Sequence, residues 1–147
     1  MKYQECSLGR VFVLRVEEGD RVPETIEQFA DDRNIERALC LLLSGLKGGR
    51  LVSGIDEGKA SPVAPLTELL EDIHEAAGIG TIFPGPDGTA KLHMHAALGK
   101  EGAARVGCVQ AGTEVWSVGE VILVEMVGTS MRRRVDPLTG LEVLSDI

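Results

Sequence analysis

The sequence predicts an α+β fold: a single domain over residues 1–147, mostly antiparallel β-sheet with one or two helices packed on it. Two observations predict this class. The first third of the chain carries a strand pattern, one amphipathic helix pattern and a long apolar run, whereas the part after residue 90 alternates strand patterns with turn residues. No internal repeat, low-complexity tract or linker divides the 147 residues, so one domain is expected.

The N-terminal segment predicts a strand followed by a helix. In "GRVFVLRVEEGD", residues 11–16 place apolar side chains on both faces, so we expect a strand that is buried on both sides. After a turn at Gly19-Asp20, an apolar stripe with helical spacing predicts an amphipathic helix, formed by Val22, Ile26, Phe29 and Ala30. Pro23 suits the first turn of this helix, and Asn34 is a plausible left-handed residue at its end.

The next segment, "IERALCLLLSGL", is apolar throughout, and periodicity alone does not separate a buried strand from a helix here. Its position between a helix and the glycine-dense "SGLKGGRLVSG" favours a strand, with Cys40 as a small core residue. The glycine-dense stretch lacks the GxxxxGK[ST] pattern of a phosphate-binding loop. We therefore interpret it as a tight turn between strands.

For one segment in the middle of the chain, the sequence does not decide between a helix and an extended strand. Residues 56–65, "DEGKASPVAP", predict a loop, whereas "LTELLEDIHEAAGIGTIFP" fits either a helix or an extended segment. Gly78 and Gly80 are expected to let strands approach closely or to form a bulge. From Ala90 onward the pattern predicts strands in "AKLHMHAALG", "ARVGCVQAG", "EVWSVGEVILVEMVG" and "LEVL".

Composition limits the classes of function. A formal net charge of −8 argues against direct DNA binding, which relies on Lys and Arg to neutralise phosphates, and five aromatic residues offer little for base stacking. The basic cluster Arg132–Arg134 precedes Asp136, so we expect a solvated turn or a subunit salt bridge there. The sequence shows neither a secretory signal nor a run of about 20 apolar residues, which makes a cytoplasmic protein the default expectation.

The stretch "KLHMHAALG" contains two of the three histidines of the chain. In a strand, His93 and His95 point to the same face, because side chains alternate. A metal site explains this pattern, and so does the polar face of a half-buried strand whose core face holds Leu92, Met94 and Leu98. The third histidine, His74, lies among acidic residues, so we expect it on a solvated acidic face.

The order of the segments resembles the PPC domain (plants and prokaryotes conserved) from about Leu8 to the C-terminus. The matching features are "GRVFVLRVEEGD", a helix, "LSGLKGG", "LHMHAALG", "VGCVQAGTEVWSVGEVILVEM" and "RRRVDPLTGLEVL". The resemblance implies a homo-oligomer, with a trimer favoured, that serves as a binding or assembly module linked to DNA-associated regulation. A small-molecule ligand is compatible with such a role. In plant members, neighbouring AT-hooks contact DNA. This chain has no AT-hook-like Arg-Gly-Arg core, so direct DNA binding should be weak or absent.

The resemblance also suggests a third metal ligand. Other PPC members have a histidine on the strand after the H-x-H pair, and Cys108 stands at the corresponding place. If the turn is centred on Glu101-Gly102, paired residue numbers sum to 203, so that His95 faces Cys108 on one side of the sheet. A slip of one residue would turn Cys108 away. The sequence thus permits a site for zinc or another divalent transition metal at His93, His95 and Cys108 without requiring it.

An enzyme is the alternative function. The implied architecture is similar to that of acetolactate decarboxylase, a zinc enzyme with histidine ligands on its sheet, but a fold alone does not carry function. No Ser-His-Asp order, nucleophile elbow or paired acid/base spacing stands out, so we assign no catalytic residue. Three strand glutamates could approach a metal, although such residues are usually exposed: Glu114, Glu120 and Glu125.

Overall fold

The computed structural model describes residues 1–56 and 63–146, which form one helix and ten strands. The elements are β1 (Ser7–Glu17), α1 (Val22–Asp32), β2 (Ala38–Lys47), β3 (Arg50–Asp56), β4 (Ala64–Leu69), β5 (His74–Pro84), β6 (Ala90–Lys100), β7 (Ala103–Val109), β8 (Glu114–Val127), β9 (Arg132–Val135) and β10 (Glu142–Ser145). The α+β prediction is confirmed. Most of the loop predicted at 56–65 lies outside the described residues.

Eight strands form one antiparallel sheet in the order β1-β8-β2-β5-β6-β7-β3-β4, and β9 pairs with β10 as a separate hairpin. Four strand spacings, roughly 19 Å in a flat sheet, separate β2 from β3. Only Gly48 and Gly49 connect these strands, and three Cα–Cα steps reach at most about 11 Å. The sheet must therefore curl, so that β3 continues β2 and pairs with the far strand β7.

The turn at Gly48-Gly49 confirms the prediction of a tight connection between strands. Both glycines have positive φ angles, +61° and +70°. A Cβ atom on Gly49 would lie 2.5 Å from the Cα of Thr113, in the segment that links β7 to β8. Because this contact involves backbone, the close approach requires glycine.

The helix α1 packs against the inner face of the sheet. Val22, Ile26 and Ala30 are buried there, as the sequence pattern predicts. The backbone N–H groups of Ala90 and Leu92 on β6 donate to carboxylates of the helix, namely Asp31 and Glu27, each at 2.9 Å. Asn34 follows the helix with a φ of +53°, which confirms its predicted left-handed conformation. The helix therefore fixes β6, the strand that carries the histidine pair.

The segment "LTELLEDIHEAAGIGTIFP", for which the sequence fits either a helix or an extended conformation, is extended and contributes to β4 and β5. A Cβ atom on Gly80 would lie 2.7 Å from the carbonyl oxygen of His93 on β6, so the glycine permits a close approach of the two strands. The β5–β6 register runs from Glu75 to Pro84 without a bulge. The predicted close approach is confirmed. Cys40 on β2 is buried in the core, also as predicted.

The expectation that β1 is buried on both sides is wrong for the single chain. Val11 and Val13 on its outer face are 61% and 79% exposed, whereas Val16 is buried. The strand lies at the edge of the sheet, and the helix covers the inner face only. Apolar residues on both faces of a strand do not reveal whether the second face is covered by the same chain. Within the described ranges, no helix is long and apolar enough to cross a membrane.

Candidate metal centre

A two-residue turn sets the register of the hairpin formed by β6 and β7. Glu101 and Gly102 both have positive φ angles, +51° and +79°, as a type I′ turn requires. The paired residues run from Lys100 with Ala103 to His95 with Cys108, and each pair sums to 203. This confirms the predicted register and places Cys108 opposite His95.

The hairpin brings the three predicted ligands together on the outer face of the sheet. One donor atom each from His93, His95 and Cys108 all lie within 4.8 Å of one another. The two Nε2 atoms are 3.1 Å apart, and the imidazole rings meet edge to face with centroids 4.9 Å apart. Both histidines are exposed and Cys108 is half-buried. In the described part of the chain, no other group of three such side chains has this arrangement.

The donor set fits a transition metal. Two imidazole nitrogens and one thiolate sulfur are common ligands of zinc, and at the usual bond lengths tetrahedral donors lie about 3.5 Å apart. Small rotations of side chains that are already within 4.8 Å would reach this spacing. Three protein ligands leave a coordination position for water or for an outside group.

The electrostatic surroundings keep His93 available as a ligand. Partial burial lowers the pKa of His93, and the positive charge of Arg133 and the neighbouring His95 lower it further. A neutral imidazole retains the lone pair that a metal needs. Burial raises the pKa of the Cys108 thiol, while a hydrogen bond from Gln110 and the charge of Arg133 oppose that effect. A bound cation would favour the thiolate.

Arg133 is the residue at this site that sequence reasoning missed. It is only 5% exposed, so the expectation of a solvated turn for the basic cluster is wrong at this position. Its Nη2 donates to the carbonyl oxygen of Thr81 at 3.0 Å and to the hydroxyl of Thr81 at 3.1 Å. Thr81 pairs with His93 in the β5–β6 register, so these bonds anchor Arg133 beside the candidate ligands. The neighbouring Arg134 is exposed.

The other candidate residues do not join the cluster. The expectation that His74 lies on a solvated face is wrong: it is 6% exposed, and its Nδ1 lies 2.9 Å from the carbonyl oxygen of Asp72. His74 starts β5 on the inner face, where alternate residues are buried. Glu125 is also buried, contrary to the usual behaviour of strand glutamates, because it pairs with Arg10 at 2.7 Å. Glu120 is exposed and Glu114 is half-buried.

A family model identifies the protein family of the chain. The profile of the Plants and Prokaryotes Conserved (PCC) domain, which is the PPC domain of the sequence analysis, matches residues 3–127. The chain belongs to the PCC family. The predicted resemblance is therefore confirmed. No curated protein matches the sequence of this PCC domain at a significant level.

Solved structures share the PCC fold along nearly the whole chain. A plant- and prokaryote-conserved (PPC) protein from Pyrococcus horikoshii has a TM-score of 0.85 and 26% identity, covering 100% of this chain and 99% of that one. A metal-containing protein from Archaeoglobus fulgidus has a TM-score of 0.86 and 23% identity, covering 99% and 100% of the two chains. A proposed DNA-binding protein from Ralstonia eutropha has a TM-score of 0.71 and 21% identity, covering 90% and 89%. None of these three descriptions names an enzymatic activity.

Proposed function

We propose that this PCC-domain protein is a metal-binding assembly module that works as a homo-oligomer. The observation that carries the metal part is the convergence of three donor atoms, from His93, His95 and Cys108, within 4.8 Å on one exposed face. The description of the Archaeoglobus protein as metal-containing supports the same conclusion.

Zinc is the metal that this donor set suits best. Imidazole and thiolate ligands favour zinc over magnesium or calcium, which prefer oxygen. A divalent metal with a free position supplies Lewis-acid character and lowers the pKa of a bound water molecule. The residues of this chain would hold the metal and, because both histidines lie on an exposed face, keep one position accessible. We assign no reaction to the site.

The oligomeric part rests on an apolar row across the outer face of the sheet. In register, Val13 faces Ile122, Ile122 faces Leu41, and Leu41 faces Ile79. These side chains are 79%, 38%, 36% and 66% exposed, respectively. Ile79 in turn faces His95, so the apolar row runs directly into the metal ligands. A continuous apolar patch on a soluble chain marks an interface, and a further copy of this chain is the occupant that we propose. The family resemblance favours a trimer.

Metal content tests the site directly. We expect protein purified without a histidine tag or added metal to carry close to one transition-metal ion per chain by elemental analysis. The variants His93→Ala and His95→Ala should each lose most of this metal, because each removes one of three ligands. Cys108→Ser should weaken binding substantially, whereas Cys6→Ser is the matched control, since Cys6 is exposed and precedes β1, which is four strands away from β6 in the sheet.

Folding must be monitored in the same samples. All four variants should keep the wild-type circular dichroism spectrum, because the outer-face ligands contribute little to the apolar core. Negligible metal in the wild type, together with zinc titrations that show no saturable site lost in the double histidine variant, would exclude the metal centre.

A further inference from the structure

We propose that the cavity beside the metal centre binds small carboxylates, with Arg133 as the residue that recognises the carboxylate group. This inference deepens the proposed metal centre and rests on it for a second contact to the ligand. It is carried by the position of a buried arginine that shares one cavity with two of the three metal ligands.

The cavity has a volume of about 410 Å³, which is in the range of small-molecule sites. His93 and Cys108 form one part of its wall, and Arg133, Lys91 and Gln110 form another. A ligand in this cavity meets two cationic side chains and one amide donor, and two glutamates also line the cavity. An anion is favoured only at the cationic part of the wall, where the candidate metal ligands lie at the same surface.

Arg133 has hydrogen-bonding capacity left for a ligand. Its Nη2 donates to Thr81, and its Nε lies 3.5 Å from the carbonyl oxygen of Lys91. Among the described residues, no carboxylate lies within ion-pair distance of Arg133. The guanidinium also lies over the Phe83 ring, with its Cζ 5.8 Å from the ring centroid. A cation that is 5% exposed and has no carboxylate paired with it is costly, and its Nη1 is left to donate to a carboxylate oxygen.

The two acidic residues of the cavity do not form an ion pair with Arg133. One oxygen of Glu27 accepts the backbone N–H of Leu92 at 2.9 Å, which commits this carboxylate to holding the helix against β6. Glu142 is exposed on β10 and acts on Arg133 only through its charge. Arg133 shares this cavity with His93 and Cys108, so an anion bound to Arg133 would lie beside a metal held by these ligands.

Malonate is the probe for this site, because one of its carboxylates can bind Arg133 while the other reaches the metal. Calorimetric titrations of zinc-loaded and zinc-stripped protein should show saturable malonate binding that is tighter in the loaded form. The neutral isostere malonamide should not bind. Arg133→Gln should weaken malonate binding at least about tenfold, because it removes a charge-assisted contact to the carboxylate.

Arg134→Gln is the matched control, since it makes the same charge change on the same strand at an exposed position. This variant should bind malonate within about twofold of the wild type. Arg133 also holds Thr81, so Arg133→Lys provides a second variant that keeps the charge and loses the fork. It should bind malonate several-fold more weakly than the wild type while retaining zinc.

The outcomes separate this inference from the metal centre. If zinc binds but malonate does not, or if Arg133→Gln binds malonate as well as the wild type, the carboxylate site is wrong and the metal centre stands. If the protein holds no zinc, the metal centre is wrong. Arg133-dependent malonate binding by the zinc-free protein would then still support the carboxylate site, and its absence would overturn it. Inorganic phosphate that binds more tightly than malonate would also overturn the assignment to carboxylates.

Discussion

At the scale of single residues, the sequence predicts contacts within a hairpin but not contacts between residues far apart in the chain. The sequence places Cys108 opposite His95 on the condition that a two-residue turn is centred on Glu101-Gly102, and the structure has this turn and this pairing. Arg133 could not be found in the same way. Its burial arises because β9 lies against β5, and Thr81, which binds it, is 52 residues away in sequence.

The pair formed by Arg10 and Glu125 predicts an acid-sensitive contribution to stability. The side chain and backbone N–H of Arg10 donate to the Glu125 carboxylate, which lowers the pKa of Glu125 to about 2. A carboxylate whose pKa is lower in the folded state stabilises the fold above its unfolded pKa of about 4.3. The contribution should be lost as the pH falls from about 4.5 towards 2.

Glu125→Gln tests this assignment. The variant should lose about 1–2 kcal/mol of the free energy of unfolding at pH 7, and its stability should fall less between pH 4.5 and 2 than that of the wild type. Glu120→Gln, an exposed position on the same strand, serves as the control and should behave like the wild type. The free energy of unfolding is measured by urea unfolding across this pH range. If it depends on pH in the same way for the wild type and Glu125→Gln, the assigned role of the Arg10–Glu125 pair is wrong.

At the scale of elements, the sequence predicted the helix and most of the strands, but it left the segment that forms β4 and β5 open between helix and strand. It did not predict which faces are covered. The apolar pattern of β1 led to an expectation of burial on both sides, whereas Val13 is 79% exposed. His74 was misplaced for a related reason: with the element type open, the face on which β5 begins could not be assigned. The spacing of apolar residues predicts whether a segment forms a helix or a strand. Which of its faces is buried depends on the elements that pack against it.

The connection from β2 to β3 provides a prediction at this scale. Gly49→Ala should lower the free energy of unfolding by at least about 2 kcal/mol, because the added Cβ would contact the backbone of Thr113 and the φ angle is positive. Gly48→Ala is the control: its φ angle is also positive, but nothing lies within 4 Å of an added Cβ. This variant should lose only about 1 kcal/mol. Equal losses in urea unfolding would show that the close approach to Thr113 does not limit the curl of the sheet.

At the scale of the whole molecule, the apolar row across the sheet predicts self-association. Ile79→Lys places a charge at the end of this row, next to His95, and should shift the protein towards monomers in light scattering at micromolar concentration. Leu66→Lys on β4 is the matched control at an exposed position near the opposite edge of the sheet, and it should leave the mass unchanged. A wild-type protein that is monomeric at this concentration would refute the proposed oligomer.

The net charge of the whole molecule predicts weak binding to DNA. Some structural relatives are described as proposed DNA-binding proteins, yet this chain carries a formal charge of −8, which repels phosphates along any surface that is not locally basic. The one cluster of arginines gives little compensation, because Arg133 is buried against β5 and only Arg134 is exposed. We therefore expect direct DNA binding to be weak or absent. In fluorescence anisotropy at physiological salt, the isolated protein should bind duplex DNA weakly and without sequence preference, and Arg134→Gln should change this binding little. Sequence-specific binding with a sub-micromolar Kd would show instead that the chain contacts DNA itself.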